Sequence, residues 1–189
     1  MTDPAPLTGE PLAVDLVNTR PHLAGGPVDL IADVAGLRSW LALEAERLEE
    51  AVGPLGGDDL AELHRVREYI AAALYAARDG EPALPEAVLG INRALAAAPL
   101  VRELARDSEE GLVLVPRREG APGVRLAALF AEDAAALLAG PAGSRVRACG
   151  AEDCVMLFVP AHPSRRWCSA ARCGNRARVA RYYQRHRTG

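Results

Sequence analysis

Residues 149–186, CGAEDCVMLFVPAHPSRRWCSAARCGNRARVARYYQRH, hold all four cysteines of the chain. These cysteines form two C-x4-C pairs, Cys149 with Cys154 and Cys168 with Cys173, separated by thirteen residues. Thiolates are soft ligands, and four of them suit a tetrahedral zinc ion. The spacing therefore predicts one structural zinc ion, which holds together a unit too small to bury a large core.

Other chemistry remains open for these thiols. Two disulfides would need an oxidising compartment, and the first residues, MTDPAP, carry neither the basic segment nor the apolar run of a signal peptide. Four free buried thiols would make the paired spacing a coincidence. Iron also binds four thiolates, and His162 is a substitute ligand for one of them. Because four thiolates leave no open position for water, we expect a structural rather than a catalytic site.

Residues around the cysteines predict a β-hairpin followed by a helix. Residues 155–159 (VMLFV) have the composition of a strand, residues 160–163 (PAHP) turn the chain, and residues 165–168 (RRWC) form the returning strand. Gly174 and Asn175 then precede a helix that should run to about Arg187. A knuckle, a hairpin and a helix that begins near the second thiol pair are typical of a treble-clef-like zinc finger.

This helix has an apolar face and a basic face. At 100° per residue, Val179, Tyr182, Tyr183 and His186 share one side and are predicted to pack on the hairpin near Phe158 and Trp167. Arginines share the other sides of the helix and should face outward.

Charge separates the C-terminal segment from the rest of the chain. All 22 basic residues are arginine; residues 145–189 hold ten of them against two acids, whereas the other residues hold twelve against twenty-three. Such a basic segment predicts contact with nucleic-acid phosphates, and we expect the nucleic acid to be DNA. The candidate contact residues are Arg165, Arg166, Arg176, Arg178, Arg181 and Arg185. Alternatively, the segment pairs with the acidic part of its own chain or of a second subunit.

The tetrapeptide CGNR at residues 173–176, preceded by RWCS at 166–169, closely resembles the CGNR zinc finger. That finger usually follows an ABATE domain, named for stress-induced transcription regulators of bacteria. The Leu-x-Asp-Phe-Val-Asn-Thr-like run of that domain is matched by Gly9, Asp15, Asn18 and Thr19, with Leu16 in place of the aromatic residue. The resemblance implies a DNA-binding transcription regulator of the stress response.

The remainder of the chain predicts a mainly α fold. Apolar residues recur at helical spacing, and the predicted helices cover residues around 12–19 (where alternation also fits a strand), 33–45, 57–80, 85–99 and 123–139. Val88, Ile91 and Leu95 should be the buried face of the fourth helix. Residues 101–104 and 112–115 predict a small β-hairpin. Residues 140–144 (GPAGS) are the candidate linker between a helical domain, 1–140, and the zinc finger, 141–189.

Nothing in the sequence predicts catalysis: it contains no Gly-rich phosphate loop, no G-x-S-x-G and no H-E-x-x-H motif, and the metal uses every thiol. Asn18, Thr19 and Arg20 are a candidate pocket for a small-molecule effector, although a hydrogen-bonded turn is the favoured interpretation. No apolar run reaches membrane-spanning length, and we expect a cytoplasmic protein. One finger offers little interface, so specific DNA binding suggests a homodimer. The alternative function is a protein-interaction or RNA-binding module.

Overall fold

Helices dominate the part of the chain that the computed structural model describes, which is residues 8–23, 25–48, 53–107 and 111–186. The α-helices are α1 (Leu12–Val17), α2 (Val34–Glu44), α3 (Gly57–Asp79), α4 (Pro85–Ala97), α5 (Pro122–Ala139) and α6 (Asn175–His186). The strands are β1 (His22–Leu23), β2 (Gly26–Pro27), β3 (Val101–Asp107), β4 (Gly111–Arg117), β5 (Arg147–Ala148) and β6 (Leu157–Phe158). Each strand pairs antiparallel with its neighbour in sequence, β1 with β2, β3 with β4 and β5 with β6. The predicted fold class, mainly α with a C-terminal zinc finger, is confirmed.

Helices α3, α4 and α5 pack against one another, and α1 lies against α3 and α5. The apolar stripe of α3, which includes Leu63, Ile70 and Leu74, is fully buried in this core. Trp40 of α2 stacks on Phe130 of α5 with ring centroids 5.5 Å apart. We call residues 8–139, which enclose this core, the body.

Local sequence signals correctly predicted where α2 begins and where α3 ends. The Asp33 side chain caps α2 by accepting from the Gly36 amide at 2.7 Å. Gly80 ends α3 in the left-handed conformation, with φ of 74°, which glycine adopts without steric cost. One predicted core position is wrong: Val88 of α4 is exposed because α4 turns its Ala87 and Ile91 face toward α3 and α5.

The hairpin of β3 and β4 is longer than predicted. Its register runs from the pair Val101 and Arg117 to the pair Asp107 and Gly111. Most of its side chains are exposed, including Leu104, Leu112 and Leu114. The hairpin therefore adds little to the core of the body.

The hairpin next to the cysteines differs from the prediction. Strand β6 pairs with β5, which precedes Cys149, and the predicted pairing of residues 155–159 with 165–168 is wrong. The first thiol pair closes the short turn between β5 and β6, and a short loop costs little entropy to close. Pro160 and Pro163 lack the amide donors that a continued ladder would need. Residues 165–168 instead run beside the turn, where Gly150 donates to the Arg166 carbonyl at 2.9 Å.

We call residues 145–186 the C-terminal module, and strand β6 joins it to the body. Leu157 is buried in the core of the body, whereas its neighbour Phe158 is buried in a second cluster with the cysteines. This follows from strand geometry, in which successive side chains point to opposite faces. Val146 also lies in the core of the body. The module is therefore packed against the body through Leu157 and Val146.

Helix α6 extends from the module without the packing predicted for it. Val179, Tyr182 and Tyr183 are 53%, 52% and 62% exposed, so the prediction that this stripe packs on the hairpin is wrong. Tyr182 stacks instead on His186 of its own helix, with ring centroids 4.1 Å apart. The predicted C-terminal residue of the helix, Arg187, lies outside the described residues.

Within the described residues, no helix combines the length and apolar character needed to cross a membrane.

Candidate metal centre

The four cysteine side chains meet at one point. Their Sγ atoms all lie within 4.8 Å of one another, and the Cys168–Cys173, Cys154–Cys173 and Cys154–Cys168 distances are 3.6, 3.7 and 3.8 Å. A tetrahedral zinc site with Zn–S bonds of about 2.3 Å places its sulfur atoms about 3.8 Å apart. A disulfide would bring two of them to about 2.05 Å. The thiols are free, and their arrangement fits a single tetrahedral metal ion such as zinc.

Electrostatics explain why this cluster needs a cation. The hydrogen bond from the Cys168 thiol lowers the pKa of Cys154 to about 5. Donating that bond raises the pKa of Cys168 far above the usual range, and burial raises that of Cys173 to about 11. The Cys154 thiolate therefore suppresses ionisation of Cys168 and Cys173 at neutral pH. A divalent metal ion removes this conflict because it allows all four sulfurs to be thiolates.

Backbone geometry positions both thiol pairs. In the first, Asp153 takes a left-handed conformation with φ of 60°, and the Cys154 amide donates to the Ala151 carbonyl at 3.2 Å. In the second, the Ser169 side chain accepts from the Arg172 amide, and the Ser169 carbonyl accepts from both Cys173 and Gly174. This wide turn carries Cys173 inward and leads into α6. The Cys168 amide donates to Cys149 Sγ at 3.3 Å and so supports a ligand across the pairs.

Trp167 fills the space beside the metal centre, and two glycines make room for it. A methyl group on Gly174 would lie 3.1 Å from Trp167 Cδ1, and one on Gly150 would lie 3.4 Å from Cζ3. The approach at Gly174 is too close for a larger residue without movement of the indole, whereas Gly150 is limited mainly by the Arg166 carbonyl oxygen, which would lie 3.1 Å from the added methyl group. The glycine of the CGNR tetrapeptide is thus explained by the packing of this ring.

The other two residues of the tetrapeptide act through hydrogen bonds. Asn175 Oδ1 accepts from Arg178 Nη1 at 2.7 Å. Arg176 turns back toward the metal centre, where its Nη2 donates to the Glu152 carbonyl at 3.1 Å and approaches Cys173 Sγ at 3.8 Å. His162 is exposed and lies outside the group of four sulfurs.

Arg165 lies in the interface between the module and the body. Its Nη2 contacts Glu10 Oε1 at 2.5 Å and the Cys168 carbonyl at 2.7 Å, and its Nε donates to the Trp167 carbonyl at 3.0 Å. Its guanidinium also lies 4.6 Å from the centre of the Phe158 ring. Glu10 uses its second oxygen, Oε2, to accept from the Val159 amide at 2.9 Å. Sequence reasoning missed Glu10, because nothing local indicates a partner about 150 residues away.

Asn18 forms a second link between body and module. Its amide nitrogen donates to the Leu157 carbonyl at 2.9 Å, and its amide oxygen accepts from the Leu157 amide at 2.8 Å. The buried side chain therefore pairs with β6 as a neighbouring strand would.

The other two residues of the candidate effector pocket also have partners within the body. Thr19 Oγ1 donates to the Leu16 carbonyl at 2.6 Å and accepts from the buried Arg67 at 2.8 Å. Arg20 forms ion pairs with Asp29 and Glu68.

The remaining candidate nucleic-acid contacts are distributed along the exposed side of the module. Arg166 and Arg178 are exposed. The Arg166 guanidinium lies 5.7 Å from the centre of the Trp167 ring. Arg181 and Arg185 lie on α6, and their side chains are outside the described part of the structure.

Comparisons with known families agree with this arrangement. The ABATE family model, described as "Putative stress-induced transcription regulator", matches residues 10–141, and the CGNR zinc finger model matches residues 145–186. No curated protein matches the chain. Neither matching family is a family of enzymes. The order of the two matches and the clustering of Cys149, Cys154, Cys168 and Cys173 confirm the architecture predicted from the sequence. The chain belongs to the ABATE family and carries a CGNR zinc finger over residues 145–186.

Proposed function

We propose that the protein regulates transcription by binding DNA through α6 and the adjacent surface of the C-terminal module. The observation that carries the proposal is the charge of α6: over Asn175–His186 the sequence NRARVARYYQRH holds four arginines and no acid. A helix with this charge attracts the phosphate backbone and releases its counterions on binding. In this proposal the protein acts by binding and not by catalysis, in the bacterial cytoplasm.

The position of each arginine narrows the set of proposed phosphate contacts. Arg165 is held by Glu10 and by backbone carbonyls, so its donors are already used within the chain. Arg176 turns back toward the metal centre. We therefore propose the other four arginines, Arg166, Arg178, Arg181 and Arg185, as the phosphate contacts. The metal ion contributes structure alone: held by Cys149, Cys154, Cys168 and Cys173, it would fix the turn that launches α6 from the body.

An effector or a second subunit would act on the body in this proposal. Asn18, Thr19 and Arg20 link β6, Arg67, Asp29 and Glu68, so a ligand that disturbs these bonds would reach the module through β6. Binding of an effector would then alter the orientation of α6.

Fluorescence anisotropy of the full-length, zinc-loaded protein with labelled duplex DNA across a salt series tests the proposal. Apparent affinity should fall steeply with salt, and an Arg178/Arg181/Arg185→Ala variant should bind more weakly with a slope flatter by about two to three charges. An Arg65/Arg93/Arg117→Ala variant removes the same charge from exposed positions of the body and is the matched control. Equal losses in both variants, or binding that is independent of salt, would contradict the proposal.

The exposed stripe of α6 favours a second candidate, docking on a protein. Val179, Tyr182, Tyr183 and His186 leave an aromatic face in solvent. Four side chains cover much less than the roughly 1,200 Å² of a stable interface, and two such helices would repel each other through their arginines. Sedimentation of wild type and of the Tyr182→Ser/Tyr183→Ser variant tests docking on a second copy: a wild-type dimer that becomes a monomer in the variant would favour docking through this face.

A further inference from the structure

Arg176 connects the two halves of the metal centre. It lies in the first turn of α6, and a single nitrogen, Nη2, donates to the Glu152 carbonyl at 3.1 Å and approaches Cys173 Sγ at 3.8 Å. Glu152 lies in the turn between Cys149 and Cys154, whereas Cys173 belongs to the second thiol pair. One guanidinium therefore spans from α6 to the backbone of the first pair and to a ligand of the second.

The charge of the filled site gives this contact a purpose. A divalent ion with four thiolates carries a net charge of minus two, and Cys149, Cys168 and Cys173 are buried. Buried charge is costly unless it is compensated by opposite charge or by hydrogen bonds. The Cys168 amide compensates part of it at Cys149 Sγ, and the Arg176 guanidinium brings a full positive charge to Cys173 Sγ. Partners of this kind commonly set the affinity and lability of a metal site.

We propose that Arg176 is a positioning residue of the metal centre and not a nucleic-acid contact. It places its positive charge beside Cys173 Sγ, which slows loss of the metal ion, and it holds the start of α6 against the first thiol pair. This assignment replaces the sequence-based prediction that grouped Arg176 with the phosphate-binding arginines. It stands independently of DNA binding.

Arg178 is the natural control. It lies two residues further along the same helix and is exposed, as Arg176 is, but its guanidinium contacts Asn175 Oδ1 at 2.7 Å instead of the metal centre. Charge and helix propensity are the same at both positions. A difference between the two arginines therefore reports the contact with Glu152 and Cys173.

The test measures metal release and the metal's ligand field in the full-length protein. Zinc transfer to a chromogenic chelator should be about ten-fold faster for Arg176→Ala than for wild type, and unchanged for Arg178→Ala. In the cobalt-substituted protein, the thiolate-to-cobalt charge-transfer bands should shift for Arg176→Ala alone. Arg176→Lys should restore part of the wild-type release rate because it restores the charge.

Arg176→Gln separates charge from geometry and serves if Arg176→Ala does not fold. Glutamine can still donate to the Glu152 carbonyl but carries no charge. Release about ten-fold faster than from wild type supports charge compensation, whereas wild-type release with an unchanged cobalt spectrum overturns it. Equal acceleration in Arg176→Ala and Arg178→Ala also overturns the proposal, because the effect would then belong to α6 in general.

Discussion

The body and the C-terminal module are stabilised by different chemistry. The body buries continuous apolar stripes from α3, α4 and α5 around the stacked Trp40 and Phe130. The buried cluster of the module is small, with Ala151, Met156 and Phe158 beside three of the cysteines. A core of this size contributes little hydrophobic free energy, so the metal ion must supply the difference. We therefore expect the body to remain folded without the metal and the module to unfold.

The core of each region is apolar, whereas polar groups form much of the contact between the two regions. Leu157 enters the core of the body, but the backbone of β6 is held by Asn18, and the ion pair of Glu10 with Arg165 borders it. Directional bonds of this kind fix orientation more strongly than apolar contact does. The difference suggests that the body sets the direction in which α6 points, while the metal sets whether α6 is held at all.

The largest expected effect is the unfolding of the module, but not of the body, when zinc is removed. Removing zinc with a chelator should destabilise the module by an amount on the order of 10 kcal/mol and leave the body folded. Trypsin should then cleave after the arginines of residues 145–186 while α3 and α5 remain protected, as followed by mass spectrometry. Adding zinc back in excess of the chelator should restore protection. Simultaneous cleavage of body and module would show that the two regions are not distinct.

The next effect weakens the link through Asn18. Asn18→Ala leaves the amide and carbonyl of Leu157 without partners in a buried site, so the free energy of unfolding should fall by about 3 kcal/mol. Chemical denaturation measures this value. Asn92→Ala, at an exposed position of α4, is the matched control and should change it by less than about 0.5 kcal/mol. Similar values for the two variants would remove Asn18 from the interface.

A smaller effect is expected for the ion pair between Glu10 and Arg165. Glu10→Gln retains a hydrogen-bond acceptor but loses the charge, and the pair is only half-buried, so unfolding free energy should fall by about 1 kcal/mol. Glu103→Gln, which breaks the fully exposed pair with Arg117, should cause no measurable change. Equal effects in thermal denaturation of the two variants would contradict the proposed link.

A different kind of effect is a dependence of stability on pH that belongs to the body. Burial, together with the nearby charge of Glu44, raises the pKa of Asp15 to about 7, although the hydrogen bond from Arg47 opposes the shift. Since the pKa in the unfolded chain is near 4, the folded protein binds more protons between about pH 4 and 7, and this group's contribution to stability falls as pH rises through that window.

The Asp15→Asn variant tests this sign, because it cannot ionise. The difference in unfolding free energy between wild type and this variant should move against wild type as pH rises from about 5 to 7, with metal loading held constant. A difference that is flat with pH would show that Asp15 is ionised throughout.

Local sequence signals predicted those parts of the molecule that depend on neighbours in the chain. Helix ends followed from Asp33 and Gly80, and the metal ligands followed from the spacing of the cysteines. The strand partner of β6 was predicted wrongly. Composition identifies residues 155–159 as a strand, but it does not say whether they pair with the segment before them or the segment after them. The stripe of α6 was identified as a face, but periodicity does not say what covers a face. The links from Glu10 and Asn18 join residues more than 130 positions apart, which no local pattern reports.

Hydrogen–deuterium exchange of the full-length, zinc-loaded protein, with and without duplex DNA, shows which residues DNA covers. We expect slower exchange on DNA binding in residues 166–186, with exchange in α3 and α5 unchanged. Slower exchange confined to the hairpin of β3 and β4, or saturated DNA binding without any change in α6, would contradict DNA binding through α6.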